Sequence, residues 1–109
     1  QGPADTKKVI EDRDFKLDTA EKEVWLRGSI IDLSPTEYSI LEVLARRMGH
    51  TVSRDELLRK IWGLGSCDTR TVDVHMSRLR RKLDDGKKPT LSAQTLRGRG
   101  YRLTWEEGE

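Results

Sequence analysis

Residues 70–83, Arg-Thr-Val-Asp-Val-His-Met-Ser-Arg-Leu-Arg-Arg-Lys-Leu, constrain the fold more than any other stretch of this chain. Val72, Met76, Leu79 and Leu83 recur at i, i+4, i+7 and i+11, the spacing of a helix with one apolar stripe. Such a helix needs a core against which to bury that stripe. Arg70, Val74, Ser77, Arg78 and Arg81 fall on the opposite side. Thr71 and His75 lie between, with Asp73, Arg80 and Lys82 on the flanks. Guanidinium forks match phosphate oxygens and the O6/N7 edge of guanine, so the helix can anchor by its stripe and read a DNA major groove with its other face. Taken alone, it fits equally a solvated surface helix whose arginines serve solubility.

The charge distribution separates these readings. Net charge is only +2, but it is segregated. Residues 1–69 carry 11 Lys/Arg against 13 Asp/Glu, residues 70–102 carry 10 against 3, and residues 103–109 add three acids. One segment of net +7 that coincides with an amphipathic helix and a second basic element is a nucleic-acid footprint. At 109 residues the chain forms one domain with a modest core. No stretch resembles a membrane span or a signal peptide. A single cysteine, Cys67, cannot form an internal disulfide and fits a reducing cytoplasm.

Taken in order, Gln1-Gly2-Pro3 reads as the remnant of a cleavable tag and residues 4–7 as linker. Residues 9–33 read as about four short antiparallel strands with one wet face. Ser34-Pro35-Thr36-Glu37 opens a first helix with a capping box, and Leu33 and Tyr38 act as a hydrophobic staple. Ile40, Leu41, Leu44, Ala45 and Met48 form its stripe, and Gly49 ends it. Ser53 and Glu56 predict a second capping box, with Leu57, Leu58, Ile61 and Trp62 inward and Gly63 as the stop. Asp68 or Thr69 caps the third helix. Residues 93–104 read as two strands around Gly98-Arg99-Gly100, a hairpin with Arg97, Arg99 and Arg102 in or near its tip. A basic hairpin after a basic helix is the wing of a winged helix-turn-helix. The predicted fold is therefore α+β: an N-terminal four-stranded antiparallel sheet, three helices and a C-terminal β-hairpin wing. It occupies residues 8–105, and 106–109 form an acidic tail.

Leu33-Ser34-Pro35-Thr36-Glu37-Tyr38, Val52-Ser53-Arg54-Asp55-Glu56-Leu57-Leu58, Trp62-Gly63, Arg70-Thr71-Val72-Asp73-Val74-His75, Leu79-Arg80 and Leu96-Arg97-Gly98-Arg99-Gly100-Tyr101 occur in order. In these motifs the chain resembles the C-terminal DNA-binding domain of OmpR/PhoB-type response regulators of bacterial two-component systems, from about residue 8 to 104. The resemblance implies an output domain of a phosphorelay, cytoplasmic and bacterial, that controls transcription by binding double-stranded DNA at direct-repeat half-sites. It implies a receiver domain ahead of this one and a monomer or weak dimer off DNA. Position by position, it implies base reading by Val74 and Arg78. Phosphate contacts fall to Trp62, Arg70, Thr71, His75 and Arg80, with Arg81 on the same outward side. Wing contacts fall to Thr95, Arg97 and Tyr101, with Arg99 beside them. Ser77 stands where some members carry a basic residue. The loop at 63–69 is where members can touch RNA polymerase.

Several residues have a plain structural reading too. His75 fits a satisfied structural histidine as well as a phosphate contact, and Asp73 fits a salt bridge to a neighbouring arginine better than a cytosine contact. Trp25 and Trp105 read as packing, and His50 as a turn residue. Arg46, Arg47, Arg54 and Arg59 are divided between solvated surface and backbone contacts, with Arg54 the best placed for phosphate. Cys67 and the two histidines match no metal-ligand spacing, so no cofactor is expected. No carboxylate pair, activated nucleophile or phosphate loop argues for an enzyme. The alternative function is a winged-helix module that docks on RNA polymerase or a partner domain, for which arginines at the wing tip have no use.

Overall fold

The elements run β1 (Val9–Asp12), β2 (Phe15–Asp18), β3 (Glu23–Leu26), β4 (Ser29–Ile31), α1 (Pro35–Arg46), α2 (Arg54–Trp62), α3 (Arg70–Leu83), β5 (Thr90–Leu96) and β6 (Gly100–Glu106). The computed structural model describes residues 8–63 and 69–107. Strands β1 to β4 form an antiparallel sheet in chain order. Alternation decides its faces: Phe15, Leu17, Val24 and Leu26 point into the core, while the register aligns Lys16, Trp25 and Ile30 on the outer face. The β3–β4 connection holds Arg27 at φ 53° and Gly28 at φ 81°, the left-handed pair that a two-residue hairpin needs to match strand twist. From that turn the Arg27 guanidinium donates to the Asp85 carboxylate at 3.0 Å and to the Pro89 carbonyl. It thereby ties the sheet to the loop after α3, a link with no local sequence signal.

Helix α1 begins as its capping box requires. Ser34 Oγ accepts from the Glu37 N–H at 3.2 Å, and the Ser34 N–H donates to Glu37 Oε1 at 2.9 Å. The same carboxylate oxygen accepts from Lys82 Nζ at 2.7 Å, at the far end of α3. Burial of Glu37, only 3% exposed, opposes its charge. The Lys82 ammonium and the Ser34 groups outweigh that penalty and hold the carboxyl below its ordinary value. Ile40, Leu41, Leu44 and Ala45 are buried, and Met48 is half-buried. Helix α2 departs from expectation at its start. Ser53 Oγ caps the Glu56 N–H at 3.1 Å, but Glu56 does not close the box. Its carboxylate accepts from Arg47 at 2.8 and 2.7 Å instead, a cationic partner that the packing of α1 against α2 brings within reach.

In α3, Val72, Met76, Leu79 and Leu83 are all fully buried. Thr69 precedes the helix in helical geometry and makes no side-chain cap, so the cap expected of it is not formed. Asp68 lies outside the described residues. So do residues 1–7, Cys67, Glu109 and the greater part of the 63–69 loop. The C-terminal hairpin is longer than the 93–104 reading, because Thr90, Leu91 and Trp105 join the ladder and Leu91 is buried. Strand β6 also takes in Glu106, which pairs with Thr90 and accepts from Gln94 Nε2 at 3.3 Å. Glu106 therefore belongs to the sheet rather than to an acidic tail. Val52, between α1 and α2, bridges β6: its N–H donates to the Tyr101 carbonyl at 2.8 Å, and its carbonyl accepts from the Tyr101 N–H at 2.9 Å. Gly100 allows this approach. A Cβ there would lie 2.7 Å from Ser53 Cα and 2.8 Å from the Val52 carbonyl carbon.

Candidate nucleic-acid interface

Burial of the α3 stripe sets the orientation of the rest of the helix. Val74 is 49% exposed, unusual for an aliphatic side chain in this molecule. Arg70, Ser77, Arg78 and Arg81 are exposed with it. Among the described residues the Arg78, Arg81, Arg97 and Arg99 guanidiniums make no ion pair or hydrogen bond. They are therefore available to an anion. Val74 and Arg78 share one outward face, one turn apart, as the helical spacing requires.

The phosphate candidates divide. Trp62, half-buried at the end of α2, has its ring 5.5 Å from that of His75 at a 52° tilt. His75 Nδ1 lies 2.9 Å from the Thr71 carbonyl. That oxygen can only accept, so Nδ1 carries the proton and Nε2 is the ring's remaining polar atom. Thr71 and His75 are half-buried beside the exposed face. Arg80, on the helix flank and implied by the resemblance to contact phosphate, is engaged within the fold. Its Nε donates to the Ala93 carbonyl at 2.7 Å, one terminal nitrogen donates to Thr95 Oγ1, and its guanidinium lies 5.5 Å from the Tyr101 ring centroid. It braces α3 against the hairpin.

At the wing, Arg97, Gly98 and Arg99 form an exposed tip. Thr95 is exposed; its oxygen accepts from Arg80, which leaves its own hydroxyl proton to donate. Tyr101 corrects the sequence reading most clearly. It is 4% exposed, and its hydroxyl donates to Asp73 Oδ1. It is part of the core that carries the wing and does not lie on the wing's surface. Burial, and then the Asp73 carboxylate, push its hydroxyl pKa up. Asp73 Oδ2 also accepts from Arg54 at 3.1 Å, the structural pairing expected of Asp73. Between the start of α2 and the wing lies a polar cleft of about 490 Å³ that includes Ser53, Arg54, Thr69, Arg97 and Arg99. Ser53 comes to the wing through the Val52–Tyr101 bridge beside it, which no local sequence signal announces. No group of three or more His, Cys, Asp or Glu side chains is arranged to hold a metal ion among the described residues. No helix in them is long and apolar enough to cross a membrane.

Residues 28–103 match the family described as "Transcriptional regulatory protein, C terminal". The transcriptional regulatory protein KdpE of Mycobacterium tuberculosis is 41% identical over 96 residues, covering 87% of this chain and 42% of KdpE. The chain thus spans about two fifths of the length of the curated relatives it matches. The DNA-binding domain of Klebsiella pneumoniae RstA, solved in complex with the RstA box, superposes with a TM-score of 0.78 at 33% identity, covering 90% of this chain and 98% of that one. The response regulator DrrB of Thermotoga maritima, an OmpR/PhoB homolog, gives a TM-score of 0.77 at 33% identity, covering 90% of this chain and 45% of DrrB. The chain therefore belongs to the family of C-terminal effector domains of OmpR/PhoB-type transcriptional regulators.

Proposed function

We propose that this domain binds double-stranded DNA sequence-specifically, as the output end of a phosphorelay response regulator that controls transcription. One observation carries the reading: Arg78 and Arg81 on the outward face of α3, and Arg97 and Arg99 at the wing tip, are exposed and make no ion pair or hydrogen bond among the described residues. A helix of this width fits the major groove, and a hairpin at its side reaches the flanking minor groove. Arg78 forks onto a guanine and Val74 meets a thymine methyl. Trp62, Arg70, Thr71, His75 and Arg81 contact phosphates. Thr95 adds a hydroxyl to the backbone, while Arg97 and Arg99 enter the minor groove. Arg80 and Tyr101 act from behind, through the wing.

The finer features follow from the same reading. The domain spans residues 8–106, works in the bacterial cytoplasm without a cofactor or catalytic activity, and is a monomer or weak dimer off DNA. It occupies direct-repeat half-sites about one helical turn apart, receives its signal from a receiver domain, and reaches RNA polymerase through residues 63–69. Selection of bound duplexes from a random library tests the central claim. The wild type should enrich a short motif, and Arg78→Ala should blur it at one position at a cost of about 1–3 kcal/mol. Equal loss on specific and random DNA would remove Arg78 from base reading. No enrichment by a folded wild type, with weak retention on heparin, would favour docking on a protein instead.

A further inference from the structure

A carboxylate on a helix that faces phosphates weakens their binding, so Asp73 needs a reason to stand next to Val74. Both of its oxygens are occupied by other elements: Oδ1 by the Tyr101 hydroxyl of β6, Oδ2 by the Arg54 guanidinium of α2 at 3.1 Å. Tyr101 is itself held on three sides. Val52 bonds its backbone in both directions at 2.8 and 2.9 Å. The Arg80 guanidinium lies 5.5 Å from its ring centroid, and the same guanidinium holds the Ala93 carbonyl of the partner strand at 2.7 Å. Gly100 next to Tyr101 cannot carry a side chain without meeting Val52 and Ser53. Two residues before Tyr101 comes Arg99, at a tip whose arginines make no ion pair with the rest of the described chain. The base of the wing is thus tied to the helices at several points, and at one of them, the Asp73 carboxylate, α2, α3 and β6 meet.

We propose that Asp73 is the positioning residue of the wing: by holding the Tyr101 hydroxyl and the Arg54 guanidinium together, it fixes how far Arg97 and Arg99 stand from the base-reading face of α3. The proposal rests on the DNA-binding reading above and adds a division of labour within it. Base preference inside the half-site belongs to Val74 and Arg78, while preference in the flanking minor groove depends on Asp73, a residue that touches no DNA. The charge of Asp73 acts in the opposite sense on affinity, since it repels phosphates on every sequence alike.

Two variants separate these effects. Tyr101→Phe removes the hydroxyl and keeps the ring; Asp73→Asn keeps an acceptor oxygen and removes the charge. The first readout needs no DNA: residual dipolar couplings of the β5–β6 amides in the alignment frame of α3. The second is duplex selection, scored separately at half-site and flanking positions. Tyr101→Phe should move the hairpin couplings out of the α3 frame. It should also lose a flanking preference of about tenfold, the size of one good base contact, and leave the half-site motif intact. Asp73→Asn should lose part of the flanking preference yet bind random duplex about twofold more tightly, as the removal of one negative charge near the backbone requires. Unchanged couplings and flanking preference in both variants would overturn the proposal, as would half-site and flank fading together. Should Tyr101→Phe fail to fold, Asp73→Asn decides alone, by the opposite signs of its two effects. A wild type without base preference at any position would refute the DNA-binding reading and the wing's role with it, whatever the couplings show.

Discussion

Gly100→Ala is the substitution whose consequence the structure dictates most directly. Gly100 has φ +141°, a region that L side chains rarely adopt, and its new Cβ would run into the Val52 carbonyl oxygen and approach Ser53 Cα to 2.7 Å. All the neighbours named are backbone atoms, so no side chain can swing away to make room. The hairpin must withdraw from Val52. That breaks the two bonds between Val52 and Tyr101, of 2.8 and 2.9 Å, each contributing about 1 kcal/mol net. The backbone strain adds about 1–2 kcal/mol, for a total of about 3–4 kcal/mol. At about 4 °C per kcal/mol for a chain of this length, Tm should fall by roughly 12–16 °C. Gly98→Ala is the control, because Gly98 also has positive φ (+74°) but nothing lies within 4 Å of the added Cβ. It should cost only the strain of the left-handed conformation, about 1–2 kcal/mol. Thermal and urea unfolding followed by circular dichroism measure both. Equal losses in the two variants would mean that the bridge contributes nothing and that the reasoning from close approach is wrong.

Two further outcomes follow from particular side chains. Glu37 is held below its ordinary carboxyl pKa in the fold, so its pairing with Lys82 stabilises the fold fully above the ordinary value and is lost as pH falls through the lower, folded value. Urea midpoints of the wild type should therefore drop more steeply below about pH 4.5 than those of Glu37→Gln, and parallel curves would show that the pair carries no linkage. Arg81, exposed and unpaired on α3, should act through phosphate alone. Arg81→Ala should weaken binding on all duplexes and reduce the slope of log K against log salt by about one; an unchanged slope would exclude a phosphate contact.

Much of this fold is legible in the chain because its signals are local. The capping box of Ser34 and Glu37, the stripe from Val72 to Leu83 and the turn glycines each act within a few residues. Period and turn chemistry are sufficient to read them. The exposure of Val74 and Arg78 follows by exclusion: a helix that buries one stripe must present the other. The basic wing tip is equally apparent, since charge next to a tight turn has no core to enter.

What the sequence did not disclose depends on distance along the chain. Glu56 leaves its capping box for Arg47, Arg27 reaches Asp85, and Lys82 reaches Glu37. Each choice is a competition between a local partner and a charged group that only packing brings near. Arg80 and Tyr101 carry the same lesson into the functional site. The family resemblance implies DNA contacts for both, yet packing of α3 against the hairpin turns one guanidinium and one phenol inward. Which elements form, which helix face is apolar and where positive charge gathers can be read along the chain, because these rest on spacing and residue type. Which polar side chains meet solvent and which meet one another is settled by packing, because a buried or half-buried polar group is committed to whatever partner the packed elements bring within reach.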